Sequence, residues 1–259
     1  MRPSSRWRTM FVPPRSGAEN MARDSALMDM ARDTGQSIFS VYSWQTPTLS
    51  FGRNQSARHR YDLREIERRG IDVVRRPTGG RALLHWREVT YSVAAPLPED
   101  QSLAASYERI NKILLVGLDS LGVKVSEARG GPRISLHGDS PCFAAPADGE
   151  LVSSGLKLAG SAQVREKGAL LQHGSILLHN DQPLISSLLL EPGAETPRAA
   201  TLTEALGREP AIEEVADALF GAVMSLEDPD ATGLDETEAG PLTAAHLDHY
   251  RNSLWTWRR

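Results

Sequence analysis

Residues Ser102 to Leu121 carry Leu103, Tyr107, Ile110, Leu114, Leu118 and Leu121 at spacings of three and four. That period puts the apolar side chains on one face of a helix, and Gly122 stands where a helix is best terminated. A helix with one apolar stripe must bury it against another layer. The neighbouring segments supply a sheet. Ile38–Trp44, Ile71–Arg75, Ala82–His85 and Val89–Ala95 precede the helix as strand-like runs, and Val123–Ser126 and Ala169–Leu178 follow it. Strands on both sides of one good helix, with more helices later, predict an α/β fold of the mixed α+β kind. Its mixed β-sheets would be flanked by helices, without a regular βαβ repeat.

The other segments fill in this plan. Trp7–Val12 reads as a first strand broken by Pro13 and Pro14, Ala18–Asp33 as a helix stopped at Thr34-Gly35, and Tyr61–Arg69 as a short charged helix. Leu151–Ser153, Ser154-Gly155 and Leu156–Gln163 read as a hairpin, and Glu166-Lys167-Gly168 as a turn. Leu202–Leu206, Ile212–Ser225 and Thr243–Trp255 are predicted helices, with an acidic flexible linker over Asp228–Gly240. Glu127–Pro146, rich in Gly, Pro, Ser and Asp, reads as a long loop, a kind of segment that often carries function. The expectation is one catalytic domain over residues 1–259, with a core over about 5–190 and a helical segment over about 200–259.

Bulk properties narrow the function. A net charge of -4 with 24% charged residues does not describe a general binder of nucleic acid or membrane surfaces. No apolar run reaches the roughly 18 residues of a membrane span, and Met1–Arg15 lacks the apolar core of a secretory signal. A single cysteine, Cys142, cannot form an internal disulfide or a cysteine zinc cluster. A reducing, cytoplasmic setting is therefore expected. His246 and His249 share a predicted helix without an evident third ligand, so no metal site is expected.

Four segments hold groups able to do chemistry. In Arg75-Arg76-Pro77-Thr78-Gly79-Gly80-Arg81-Ala82, paired glycines after a strand allow close backbone approach to a ligand, and the arginines suit an anion. The spacing is neither a P-loop nor a dinucleotide fingerprint, and on spacing alone a tight turn with solvated arginines is the plainer reading. Lys157-Leu158-Ala159-Gly160-Ser161-Ala162-Gln163 sets a lysine at the head of a strand of small residues, which leaves room for a substrate chain. An edge-strand lysine that discourages aggregation is the plainer reading. In Gln172-His173-Gly174-Ser175, a glycine inside an apolar strand marks a close approach, and His173 is structural or lines a substrate. Cys142 lies in a polar loop, so a nucleophilic thiolate and a small buried hydrophobe both stay open.

In order, these segments resemble the lipoate-protein ligase and octanoyltransferase family. The resemblance runs through Asn20-Met21-Ala22-Arg23-Asp24, Trp44, Pro47, Ser50, Gly52 and Gln55. It continues with Arg75-Arg76-x-Thr78-Gly79-Gly80-Arg81-Ala82-x-x-His85, Glu88-x-Thr90-Tyr91-Ser92, Pro141-Cys142-Phe143, Lys157-x-x-Gly160-Ser161-Ala162-Gln163 and His173-Gly174-Ser175. Each piece is weak and the ordered set is specific, while the segment from Thr201 is looser.

The resemblance implies the catalytic fold shared with biotin ligases. It also implies a glycine loop that cradles an acyl group, and a lysine, Lys157, that contacts the acyl carbonyl. Arg76, Thr78, Gly79, Gly80, Arg81, His85, Tyr91, Gly160, Ser161, Ala162, His173 and Gly174 are then the substrate-binding candidates, and Cys142 and Lys157 the catalytic ones. A cysteine in the loop before the lysine hairpin resembles the ligase-like octanoyltransferases. These move octanoyl from acyl carrier protein, through a cysteine thioester, to a lysine of a lipoyl domain. Such domains include the glycine cleavage H protein and the E2 subunits of 2-oxoacid dehydrogenases. No cofactor is then needed; ATP and lipoate enter only if the chain is an ATP-dependent ligase. A non-catalytic fatty-acyl-binding relative is the alternative of another class, and a biotin ligase fits less well.

Overall fold

The computed structural model describes residues 6–129, 149–191 and 198–259. In chain order the elements are β1 (Trp7–Arg15), α1 (Gly17–Thr34), β2 (Ser37–Trp44), β3 (Thr48–Phe51), α2 (Leu63–Arg68), β4 (Asp72–Arg75), β5 (Leu83–His85), β6 (Glu88–Pro96) and α3 (Leu103–Ser120). Then come β7 (Ser126–Glu127), β8 (Leu151–Ser153), β9 (Leu156–Glu166), β10 (Ala169–Leu177), a 3-10 turn over Gln182–Leu188, α4 (Leu202–Leu206), α5 (Ile212–Leu226), β11 (Thr232–Gly233), α6 (Glu236–Arg251) and α7 (Ser253–Thr256).

Among the described residues, eight strands form one sheet in the order β11-β1-β2-β6-β10-β9-β8-β7. The β11-β1-β2 side is parallel and the remainder antiparallel. Side-chain alternation sends successive residues to opposite faces. Phe39 and Val41 of β2 therefore join Ile110, Leu114 and Leu118 of α3 and Val215 and Leu219 of α5. Ile38 and Tyr42 face the other way, onto Met21 and Leu27 of α1 and Tyr250 of α6. The stripe read along Ser102–Leu121 is thus the buried face of α3, and its ends, Leu103 and Leu121, are partly covered.

A second sheet, β4-β3-β5, packs Leu49, Phe51 and Leu84 against Tyr61, Ile66 and Leu188. The two sheets meet beside the segment from Arg76 to Ala82, and most of the substrate-binding candidates line a cavity there.

Four expectations need correction. β1 continues through Pro13 and Pro14 to Arg15, with a register shift against β2 between Val12 and Arg15. Its far side pairs with β11 only at Arg8 and Thr9, so beyond them it is an edge where missing N–H donors cost little. The strand expected at Val123–Ser126 is only Ser126–Glu127, because Val123 turns into the core beneath α3. Asp228–Gly240 is not a flexible linker. Asp228 accepts the backbone N–H of Trp7 at 2.8 Å, Thr232–Gly233 pairs with β1, and Asp235 caps α6 in a capping box with Glu238. The helix expected from Thr243 therefore starts at Glu236 and accommodates Pro241 in its second turn.

Candidate functional site

β4 delivers Arg75 and then Arg76 into a loop that folds back on β3. Arg75 is fully buried and spent on backbone carbonyls: Nε donates to Thr256 O at 2.9 Å, and Nη1 to Gly52 O at 2.6 Å and Gln55 O at 2.8 Å. Burial first, and Arg258, Arg259 and Arg76 next, pull its pKa down to about 10. It is a structural strut, so the anion-holding role offered for both arginines does not apply to Arg75. Arg76 bonds Ser50 and the carbonyls of Gly79 and Arg81, at 3.2 and 2.9 Å, and so holds the loop closed from inside. The turn is tight: a Cβ on Gly52 would sit 2.0 Å from the carbonyl oxygen of Gly80.

β5, β6, β9 and β10 complete the walls. The register sets His173 opposite Ala162, Gly174 opposite Ser161 and Ser175 opposite Gly160. The resulting cavity, about 70 Å³, is walled by Gly160, Ser161 and Ala162 from β9 and by His173, Gly174 and Ser175 from β10. Gly80, Arg81, Leu83 and His85 close it from the loop and β5, Met21 from α1, and Tyr42 and Trp44 from β2. Arg76, Thr90 and Glu150 complete the lining. Most of its surface is apolar, as suits a hydrocarbon chain.

Two buried histidines stand in this wall, each fixed at both nitrogens. His85 Nδ1 donates to Glu88 Oε1 at 2.7 Å, and Nε2 accepts from Ser50 Oγ at 2.6 Å. Its ring stacks on Trp44 at 4.0 Å. Glu88 also accepts from Thr90 at 2.6 Å and Ser175 at 2.8 Å. Burial outweighs the Glu88 carboxylate and lowers the pKa of His85. His173 Nδ1 donates to Asp24 Oδ2 at 2.7 Å, and Nε2 lies 2.6 Å from Thr78 Oγ1. Tyr42 donates to the same Asp24 oxygen at 2.9 Å. His173 therefore ties the glycine loop to α1 and the sheet. Both rings are positioned to shape a wall.

Lys157 is neither at a sheet edge nor on the surface. β9 lies between β10 and β8, and the Lys157 side chain is 1% exposed. Its Nζ donates to Glu150 Oε1 at 2.7 Å. Glu150 itself lines the cavity, so the ion pair spans from the wall into the layer behind it. Tyr91 of β6 reaches past Gly174 of β10 toward β9, with its hydroxyl 2.7 Å from Ser161 Oγ and accepting from Gln172 at 2.8 Å. Burial pushes its pKa up to about 12.

Of the substrate-binding candidates, Arg76, Gly80, Arg81, His85, Gly160, Ser161, Ala162, His173 and Gly174 line the cavity. Thr78, Gly79 and Tyr91 support it from outside. Cys142 lies outside the described residues, as does most of the loop expected over Glu127–Pro146. His246 is 2.8 Å from Asp29, and His249 packs on Trp255, both away from this cavity. Glu150, Trp44 and Met21 were not among the site candidates. Trp44 and Met21 fall in the motif run, which is the signal that reaches them. Glu150 has none, because the register shift between Leu151 and Val152 spoils simple alternation along the hairpin.

Comparison with known proteins supplies the rest. The lipoyl protein ligase A/B catalytic domain profile matches residues 16–224. The octanoyltransferase LipM of Kyrpidia tusciae is 36% identical over 98% of this chain and 99% of its own length. That of Brevibacillus brevis is 34% identical over the same shares. The bipartite lipoate protein ligase of Thermoplasma acidophilum, solved in a study of that enzyme and its E2 lipoyl domain, superposes with a TM-score of 0.77. It covers 98% of this chain and 96% of the ligase chain at 22% identity, which establishes a common fold.

Proposed function

The chain belongs to the lipoyl protein ligase A/B catalytic-domain family and is an octanoyltransferase, and from that premise we propose that it carries octanoyl from acyl carrier protein, through Cys142, to a lysine of a lipoyl domain. The observation that carries this reading is the near full-length identity to octanoyltransferases. The apolar cavity beside a buried lysine supports it.

In the first step the Cys142 thiolate attacks the acyl carbon of the donor thioester. The new carbon–sulfur bond forms, the old one breaks, and the carrier thiol leaves with the proton that Cys142 gave up. In the second step the ε-amine of the acceptor lysine attacks the octanoyl-Cys142 thioester. A carbon–nitrogen bond forms, the bond to Cys142 breaks, and an amine proton returns to the sulfur. Thioester to amide is downhill, so neither ATP nor a cofactor enters the proposal. Lys157, which Glu150 joins to the cavity wall, is assigned the positive charge that steadies the carbonyl oxygen as it becomes an anion. Glu150 holds that ammonium in place. Each methylene of the acyl chain that the cavity removes from water contributes roughly 0.8 kcal/mol of binding.

The acceptor class follows the Thermoplasma ligase, which was studied with an E2 lipoyl domain. The H protein and the carrier-borne donor are part of the proposal, as are a cytoplasmic setting, which keeps Cys142 reduced, and a single catalytic domain. Among the described residues no helix is long and apolar enough to cross a membrane.

Intact-mass measurement after incubation with octanoyl-acyl carrier protein tests the mechanism. One octanoyl adduct is expected on the wild type and none on Cys142→Ala. An adduct that survives Cys142→Ala would sink the cysteine route. ATP-dependent attachment of free lipoate by Cys142→Ser would instead assign the chain to the ligases.

A further inference from the structure

The cavity surface is mostly apolar, yet Tyr42, Trp44, His85, Thr90, His173 and Ser175 all line it. Strand register brings several of them together. Thr90 on β6 stands opposite Tyr42 on β2 and Ser175 on β10, so side chains from three adjacent strands share one face of the sheet. A saturated chain offers such groups no hydrogen bond, and an unbonded donor beside it is costly.

Each of these groups is instead bonded within the protein, and two carboxylates collect them. Glu88 Oε1 accepts from His85 Nδ1 at 2.7 Å, from the hydroxyl of Thr90 at 2.6 Å and from that of Ser175 at 2.8 Å. Trp44 Nε1 donates to Thr90 Oγ1 at 2.8 Å and so joins the same cluster. Asp24 Oδ2 accepts from the Tyr42 hydroxyl at 2.9 Å and from His173 Nδ1 at 2.7 Å. The hydroxyls of Ser50 and Thr78 lie 2.6 Å from the remaining nitrogens of His85 and His173. Asp24 and Glu88 are both buried, at 0% and 1% exposure, and neither lines the cavity.

The two carboxylates are used on one side only. Asp24 Oδ1 and Glu88 Oε2 are buried without a hydrogen-bond partner among the described residues. A buried carboxylate with one oxygen bare is a poor source of stability, and apolar side chains often replace buried charges without loss. What these two supply is geometric. They draw the polar hydrogens out of the wall, which leaves it apolar.

We infer that Asp24 and Glu88 are positioning residues for substrate specificity: they hold a wall of hydroxyls, imidazoles and an indole in an apolar form, and so select a saturated acyl chain over one with a polar end. This rests on the octanoyl-transfer reading. The cavity opens between the glycine loop and β9, where Gly80 is exposed and Ser161 and Ala162 are half-buried. Trp44, His85, Thr90 and Ser175 are buried, so the Glu88 cluster meets the far end of the chain.

The test compares octanoyl-pantetheine with 8-hydroxyoctanoyl-pantetheine as donors to a lipoyl domain. Wild type, Glu88→Leu and Glu88→Gln are measured, with a thermal melt of each. The wild type prefers the octanoyl donor in kcat/KM by up to about a hundredfold. Glu88→Leu releases the hydrogens of His85, Thr90 and Ser175 into the wall. Its KM for octanoyl-pantetheine rises with kcat little changed, and its preference for that donor falls about tenfold. Glu88→Gln keeps an acceptor oxygen for the cluster and most of the preference. If Glu88→Leu does not fold, Thr90→Val replaces it, because it strands the Trp44 N–H at the same end and lowers the same preference. An unchanged preference in the folded variant overturns the inference. So does an equal loss with both donors, which marks a merely structural role, or a Glu88→Gln protein as unselective as Glu88→Leu. If the wild type turns over neither octanoyl-pantetheine nor octanoyl-acyl carrier protein, the octanoyl-transfer reading fails and takes this inference with it.

Discussion

Lys157 and Glu150 form an ion pair with both side chains almost wholly removed from solvent, at 1% and 4% exposure, and with Nζ 2.7 Å from Oε1. Two buried charges that satisfy each other are tolerable, while one alone is not. Glu150→Gln takes away the carboxylate 2.7 Å from the buried ammonium and is expected to cost about 3–5 kcal/mol of stability. Lys157→Met does the converse and also removes transfer activity. The double variant Glu150→Gln/Lys157→Met recovers much of the lost stability and none of the activity. Urea unfolding of the four proteins checks this. Additive losses in the double variant would mean that the two side chains do not act as a pair.

His85 gives a pH signature of stability. Burial sets its folded pKa below the ordinary value of 6.5 despite Glu88. Between those two values the unfolded chain binds a proton that the folded chain refuses, so stability rises with pH there. The contribution of the neutral, stacked ring is complete above about pH 6.5 and is lost as pH falls toward the folded pKa. His85→Gln, which cannot titrate, is expected to be less stable at neutral pH but to lose less on acidification to pH 5. Parallel pH–stability curves for the two proteins would count against a depressed His85.

The helix α3 and the strands around it were legible because their periods differ, three to four residues against two, and because each buries one face. The cavity walls from β9 and β10 were legible as short motifs with small residues. What stayed hidden depends on long-range pairing. Glu150 meets Lys157 across a hairpin with a register shift, and no local pattern announces it. The acidic stretch 228–240 looked solvated, yet it supplies a strand to β1 and a helix cap, because its carboxylates find Trp7 N, Arg8, Arg15 and Arg23 more than 200 residues away. Arg75 and Arg76 are adjacent and chemically alike, and only the fold turns one toward the C-terminal segment and the other into the glycine loop.

That correction has its own test. Asp235 accepts from Thr237 N at 2.8 Å and opens the capping box that starts α6. Asp235→Ala is expected to cost about 1 kcal/mol, read as a lower urea midpoint with an unchanged slope. A midpoint equal to that of the wild type would return the 228–240 stretch to the status of a linker.

Gly174 is the position where the wall tolerates least. A Cβ there would lie 2.6 Å from the carbonyl oxygen of Gly160, 2.7 Å from Cε1 of Tyr91 and 2.8 Å from Oγ of Ser161. The first of these is backbone in the adjacent strand and moves only if β9 moves. Tyr91 is held by Gln172 and Ser161, so its ring has no easy retreat. Gly174→Ala should therefore push β9 outward and cost about 1–3 kcal/mol. Because Gly160, Ser161 and Ala162 form one wall of the cavity, the same shift should raise the KM for octanoyl donors. Gly221 of α5 is the control: a Cβ there meets nothing within 4 Å, and Gly221→Ala should stabilise the helix by up to about 1 kcal/mol without touching KM. Thermal melts and donor kinetics on the two variants separate the cases. A Gly174→Ala protein as stable and as active as wild type would mean that β9 and β10 do not pack as closely as these contacts require.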